Sequence, residues 1–433
     1  MKLRSITVIS LVLPFILWGW LFPFPLAQDD YYLISQAVFN STGQQILSSL
    51  PNSDSIFFRP LGMQAYFYLM VKLFWITAWK YRIIAVFIHG INSILVYKIS
   101  QKVIKLGSGF VWIMYLISPL QFAAIGWIAN ISYLTGALFA FLSILSTLKQ
   151  KPKLSILFFV LGILTNELVV TVPILIFLLN YLKNRLSFKL TIIRIIPMLV
   201  IFGLYIIIRL KFPSASGGDY GFRIGSNVIQ NIRWLLMWIL GWPETYKDQF
   251  ISFFNLNKSF LSTFSGETLI FAATSLSALG ILLKSAKNYR LILLGISWFI
   301  AALSPVIFFS NHIYPYYAVI AAVGLYLIIA DVLFQLPRKL WTVFMVLWVI
   351  QFIAGLKINL ATHWWPRHAL EAGNLISKIK NNHPFLPGDK KLFLTVCNPA
   401  QAKLVLAGDN AVKLIYNDPD AKLYFNCNSQ LQR

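Results

Sequence analysis

The stretch LSILFFVLGILTNELVVTVPILIFLLNYL, residues 154–182, decides the fold class, because its 29 residues carry a single charged side chain, Glu167. A helix crossing the hydrocarbon core needs ~20 predominantly apolar residues. The stretch is too long for one upright crossing and too apolar for a soluble domain. It reads either as one tilted span or as two short helices, 154–165 and 168–182, broken at Thr165-Asn166-Glu167. The break is preferred because it keeps Lys183, Arg185 and Lys189 on the cytoplasmic side. Short, interrupted helices are tolerated where backbone lines a cavity, so the break itself points to a recess. An ionised carboxylate at such a depth costs about 2.5–3.5 kcal/mol on the insertion scale. Glu167 therefore requires a cation, a water-filled recess or a bound substrate beside it.

Working outward, comparable apolar runs lie at 6–26, 83–97, 109–126, 131–148, 190–210, 267–283, 291–309, 314–333 and 340–356. With the two halves of 154–182 they make eleven expected crossings, starting inside and ending outside. The segment 228–243 reads as an interfacial or re-entrant helix; it becomes a crossing if 154–182 is one span, and the total is again eleven. The 433-residue chain is 58% apolar and 12% charged, with mean hydropathy +0.70. Soluble proteins average about 45–50% apolar and about 25% charged. The excess excludes a soluble enzyme, a DNA-binding domain and a disordered chain.

The formal charge of +23 would suggest nucleic acid in a soluble protein. Here its placement decides otherwise. Lys2, Arg4, Lys98, Lys102, Lys105, Lys149, Lys151, Lys153, Lys183, Arg185, Lys189, Arg194, Lys284, Lys287, Arg290, Arg338 and Lys339 fall in the expected cytoplasmic turns, whereas Asp331 is the one acid on that side. That is an orientation signal under the positive-inside rule, and no nucleic-acid partner is expected. The expected location is the plasma (inner) membrane, multi-pass, with the N-terminus cytoplasmic and the C-terminus extracytoplasmic. The first run reads as a span rather than a cleaved signal peptide, since it exceeds a usual h-region and Pro25-Leu26-Ala27 is a poor cleavage site.

Nearly every other carboxylate lies on the outer face. The first outer loop, 27–80, runs from a polar half through Phe57-Phe58-Arg59-Pro60-Leu61 into an aromatic amphipathic run suited to the headgroup plane. A second outer region, 211–266, opens with the turn-rich Ser214 to Asp219. The tail, 357–433, changes character: strand-length runs at 392–396, 412–416 and 423–425 alternate with Gly, Asn, Asp and Pro. It reads as a helix over 364–381 followed by a small extracytoplasmic α/β cap, with a βαβ unit over 391–416. Cys397 and Cys427, the chain's two cysteines, both fall there. On an oxidising face they form either a disulfide, worth about 3–4 kcal/mol, or two free thiols.

Asp29-Asp30, followed by Tyr31-Tyr32, comes directly after the first span. Adjacent carboxylates near lipid should have at least one raised pKa, which suits a general base towards a hydroxyl; the alternative is solvated acids at a helix end. Arg59 could grip a phosphate bidentately or anchor lipid headgroups. His312, with Tyr314, Tyr316 and Tyr317 in a short outer turn, is either aromatic belt or a sugar or diphosphate contact. His89 and Asn92 share one helical face as interhelical glue. Trp127 and Asn130 line another short outer turn. Walker, GxSxG, HExxH and strand-linked GxGxxG motifs are absent from the sequence.

Taken in order, the acidic pair, the Arg-Pro-Leu of the first loop, His89-x-x-Asn92 and Asn166-Glu167 within a broken apolar run resemble the GT-C-type integral membrane glycosyltransferases, in particular the protein O-mannosyltransferases and their bacterial and archaeal relatives. Phe58 to Leu61 through Ile88 to Asn92 is similar to the loop and span of the TPR-bearing eukaryotic members. Leu164 to Glu167, followed by Val172-Pro173, is similar to the family's Ser-Lys-Glu and later Pro; Asn166 stands where the family has Lys. His312 to Tyr317 resembles its late aromatic turn. The resemblance covers roughly 1–335. It implies an all-α GT-C-like membrane domain over 1–356, a polyprenyl-phosphate sugar donor, and inverting transfer to a protein, lipid or glycan acceptor at the extracytoplasmic face. Asp30 or Asp29 would be the base, with Asp30 slightly favoured, and Glu167 would support the site. Arg59, His312, Tyr314, Tyr31 and Asn166 would contact donor phosphate or sugar. No metal or other cofactor is expected. The competing expectations are a flippase of lipid-linked saccharides, which would need inverted repeats and midplane polar sites, and an outer-face polysaccharide polymerase or ligase. A non-catalytic scaffold is expected if the three acids lie far apart.

Overall fold

Backbone amides in hydrocarbon have no water to bond, so apolar chain satisfies them within helices, and the computed structural model is mostly helical. It describes residues 3–48, 57–104, 106–212, 220–250, 256–284 and 288–427. Among the described residues, five helices are long and apolar enough to cross a membrane: Leu3–Leu21, Ala78–Val103, Ile128–Leu148, Phe188–Arg209 and Arg338–Thr362. A sixth arises if Ser108–Leu116 and Pro119–Gly126, bent by 41°, form one broken span. The bend falls at Ser118-Pro119, where proline disfavours helical backbone in the residue before it. The remaining expected crossings fall on shorter or broken helices, among them Pro152–Ile163, Ser265–Ile281, Tyr289–Leu303 and Ala322–Gln335.

Ala78–Val103 and Ile128–Leu148 are mostly buried and form the centre of the bundle. Their polar residues act between helices: His89 Nε2 meets the Leu116 carbonyl at 3.0 Å, and Asn92 Nδ2 donates to the Leu134 carbonyl at 2.9 Å. Gly90 lets the first helix approach, since a Cβ there would stand 2.4 Å from the Ser10 carbonyl oxygen. Phe188–Arg209 is peripheral and turns Ile193, Leu204 and Ile207, each more than half exposed, outward. Apolar surface of that kind suits a membrane or a protein partner rather than water.

The chain breaks where the sequence reading placed the interruption. Pro152–Ile163 ends, and a tighter 3-10 turn begins at Glu167 after Asn166 caps it, its side chain accepting from the Leu168 amide. Ser226–Ile239 is a separate 14-residue helix that buries Trp234 and Trp238. The aromatic run of the first loop forms Tyr66–Phe74, with Leu69 and Leu73 left exposed. The Ser214 to Asp219 turn lies outside the described residues.

Beyond Thr362 the helix Trp364–Asn382 leads to a two-stranded parallel sheet, β1 (Lys391–Val396) and β2 (Lys422–Cys427), paired from Lys391↔Lys422 to Val396↔Cys427. Parallel strands need a crossover of a dozen or more residues. Pro399–Val405 and Asn410–Tyr416 supply it as helices. This corrects the expected strand at 412–416 and extends the βαβ unit to 391–427. Cys397 follows β1 directly; the Cys427 side chain, and with it the expected pair, lies outside the described residues.

Candidate active site

The break after Ile163 exposes backbone that another segment can pair with, and the first loop does so. The Leu61 amide donates to the Leu164 carbonyl at 3.0 Å. Gly62 permits the approach, because a Cβ there would stand 2.1 Å from the Thr165 carbonyl oxygen. This docking brings Arg59 onto Glu167. Arg59 Nε donates to Oε2 at 2.7 Å, and Nη2 bonds Oε1. Nη1 donates to Ser132 Oγ at 3.2 Å and Nη2 to the Tyr133 hydroxyl at 3.1 Å. The Phe57 ring lies 4.3 Å below the guanidinium. Four of the five N–H groups of a guanidinium are thereby engaged. Arg59 is 5% exposed, so it is the cation Glu167 required rather than an open phosphate grip. Asn166 donates to Ser132 Oγ at 3.2 Å and is 1% exposed, which gives it a structural place too.

Asp29 and Asp30 occupy the first turn of the helix Asp29–Phe39, and the two differ completely in surroundings. Asp30 is fully buried. Its Oδ2 accepts from the Ala27 amide at 3.2 Å and its Oδ1 from the Ala129 amide at 2.9 Å. Burial pushes its carboxyl up to about 7, against the pull of Arg82 and of the two amides. Arg82 enters from Ala78–Val103 and donates to the carbonyls of Gly126 at 2.9 Å, Pro25 at 2.8 Å, Phe22 at 3.4 Å and also Phe24. The pair thus joins loop 22–27 to loop 126–129 (Asp30 from one side, Arg82 from the other). Tyr31 is 4% exposed and sits beside both. Asp29, by contrast, is exposed, yet the protein crowded around it raises its carboxyl above the ordinary value.

Beyond Arg59 rises an aromatic collar. Tyr133 packs on Tyr316 at 4.6 Å, and Tyr316 stacks on Tyr314 at 5.3 Å. His312 stacks on Tyr220 at 3.9 Å and bonds the Tyr317 hydroxyl through Nδ1 at 2.6 Å. Tyr220 meets Phe57 at 5.6 Å and Phe309 at 5.7 Å, which ties the collar to the first loop. It also lines a groove of about 850 Å³ whose walls include Phe57, Glu167, Tyr205, Arg209, Phe212 and Phe309. One wall is the peripheral helix Phe188–Arg209. The lining is mostly apolar, and its polar groups are the Arg209 guanidinium, the Glu167 carboxylate, the Tyr205 and Tyr220 phenols and the Ser304 hydroxyl.

No family model, curated protein or solved structure matches the chain.

The sequence-predicted residues therefore divide. Arg59, Glu167, Asn166, His312 and Tyr314 share one cluster, whereas Asp29 is exposed at the start of its helix. Asp30 and Tyr31 are withdrawn into the scaffold beneath. Sequence reasoning missed Arg82 and Arg209, which are two of the 20 cations outside the expected cytoplasmic turns and carry no spacing that singles them out. It also missed Glu244, which pairs with His363 Nε2 at 3.1 Å and accepts from Trp364 Nε1 at 3.1 Å. His363 Nδ1 accepts from the Trp365 amide, which fixes the ring proton on Nε2. Nothing in the sequence joined positions 119 residues apart. Among the described residues no group of three or more His, Cys, Asp or Glu side chains converges as a metal site.

Proposed function

We propose that the chain is a GT-C-like membrane glycosyltransferase that moves a sugar from a polyprenyl-phosphate donor to an acceptor hydroxyl, with Asp29 as base. The reading includes eleven crossings, counting short and broken helices, with the N-terminus cytoplasmic and the site extracytoplasmic. The observation that carries it is an apolar groove of about 850 Å³ that holds the Arg209 guanidinium and the Tyr205 and Tyr220 phenols, with His312 of the aromatic collar stacked on Tyr220. A polyprenyl chain fits such a groove, and its phosphate would then lie beside a guanidinium and phenol donors, the chemistry that phosphate oxygens accept.

Asp29 takes the proton of the acceptor hydroxyl as its oxygen attacks C1 of the sugar. The C1–O bond to phosphate breaks, and the polyprenyl phosphate leaves with the bonding electrons, so C1 is inverted. A base must be ionised at working pH and still hold a proton well; a carboxyl raised by crowding suits both demands. Asp30 cannot take this role without surrendering its two amide bonds, which moves the assignment from Asp30 to Asp29. Arg209, rather than Arg59, meets the donor phosphate, and Tyr220 and His312 form the collar around the sugar. Membranes carrying the protein, incubated with a panel of radiolabelled polyprenyl-phosphate sugars, should transfer label from at least one of them. Equal label with and without the protein for every donor would reject the function.

A further inference from the structure

Gln28, the residue before Asp29, has φ 52° and ψ −124°. Positive φ with such a ψ is sterically disfavoured for a residue with a Cβ, and it persists only where the surroundings hold it. The Gln28 carbonyl accepts from the Tyr31 amide at 2.9 Å within its own helix, and the other groups that hold the residue belong to the C-terminal cap. The Gln28 amide donates to the Val405 carbonyl at 2.9 Å, at the end of Pro399–Val405. Its side-chain Nε2 donates to Nδ1 of His368, on Trp364–Asn382, at 2.6 Å. The cap also grips the preceding residues. Trp365 is fully buried, with its ring 5.4 Å from Phe24, and the Arg82 guanidinium lies 5.4 Å from the same ring. Gly373 passes so close to Pro25 that a Cβ on it would stand 2.7 Å from the proline ring.

We propose that the cap is a working part of the active site: Val405 and His368 hold Gln28 in its strained conformation, and this fixes the direction in which the Asp29 carboxylate points. Gln28 and His368 are positioning residues, since neither reaches the reacting atoms. The helix that begins at Asp29 cannot choose its own entry angle, because its first turn hangs on a residue that would otherwise relax. Asp30 anchors the far side of the same turn through Ala27 and Ala129, so Gln28 is the hinge between an anchored helix and an anchored loop. The cap, which the sequence suggests is a separate small domain, thereby controls a carboxylate more than 330 positions earlier in the chain. This inference rests on the assignment of Asp29 as base, but the clamp itself does not.

The test compares Q28A with Q28G. Both remove the bond to His368, but glycine adopts the observed backbone without strain and alanine does not. Q28G should transfer sugar about tenfold faster than Q28A, the factor carried by about 1.4 kcal/mol of relieved strain. H368A should lose activity as Q28A does, and Q28G/H368A should recover to the level of Q28G. A second readout needs no assumption about chemistry: amide hydrogen exchange over residues 26–32 in nanodiscs should quicken in Q28A and H368A but not in Q28G. Equal exchange and equal transfer in Q28A and Q28G would overturn the clamp. The expected exchange pattern with transfer indifferent to all four variants would leave the clamp standing and overturn Asp29 as base.

Discussion

Replacing Arg59 with Met would test the heart of the scaffold. The change removes both bonds to Glu167 and those to Ser132 and Tyr133, while keeping most of the side-chain volume. Glu167 would then stand uncompensated in the apolar break. Breaking a buried ion pair by removing one partner costs about 3–5 kcal/mol, and Glu167, 31% exposed to the groove, sits at the lower end of that range. At about 2 °C per kcal/mol for a chain of this size, the apparent unfolding temperature in detergent should fall by roughly 6 °C. Glu167→Gln should cost a similar amount, since it leaves the guanidinium, 5% exposed, without its counter-charge. The double variant should recover part of the loss, with a coupling of about 2 kcal/mol, because no charge is then stranded. Size-exclusion of a fluorescent fusion after heating gives the midpoints of all four proteins. An Arg59→Met protein melting within about 1 °C of wild type, with donor KM raised instead, would refute the reasoning and return Arg59 to the donor phosphate.

Other outcomes follow from the same geometry. Arg82→Lys should fail to replace Arg82, because an ammonium offers three donors from one point and cannot reach the carbonyls of Phe22, Phe24, Pro25 and Gly126 together; loss of folded protein and of transfer alike would be seen on expression. Arg209→Gln should leave the melting temperature near wild type but raise KM for the polyprenyl-phosphate donor about tenfold, as loss of one charge-assisted contact would. Asp30 gives a pH signature. Its folded pKa of about 7 lies above the ordinary value of 3.8, so the stability linked to its protonated form is complete below about pH 4 and is lost as pH rises towards 7. Melting temperature should therefore fall more steeply over that window in wild type than in Asp30→Asn.

Much of the site was legible because membranes make polar residues conspicuous. Glu167 stood alone in 29 residues, and its need for a cation could be stated before the cation was known. The break at Thr165-Asn166-Glu167 was equally readable, since it keeps Lys183, Arg185 and Lys189 on the expected cytoplasmic side. What the sequence left open was which side of a helix a residue takes. Asp29 and Asp30 are chemically identical and adjacent, and a rotation of about 100° about the helix axis separates an exposed carboxylate from one held by two amides. Arg59 looked like a phosphate ligand because a guanidinium serves a carboxylate and a phosphate with the same fork. The cap was misread at 412–416 for a related reason: a short apolar run fits a strand or a buried helix, and only the parallel pairing of β1 with β2 required a helical crossover there.

The central assignment is tested most directly by single-turnover transfer with purified protein in nanodiscs, comparing wild type with Asp29→Asn on a donor that wild type uses. The account predicts that Asp29→Asn still binds the lipid-linked sugar and still melts as wild type does, while the transfer rate falls by at least about a thousandfold, the order expected for removing a positioned general base. Transfer by Asp29→Asn at close to the wild-type rate would contradict it.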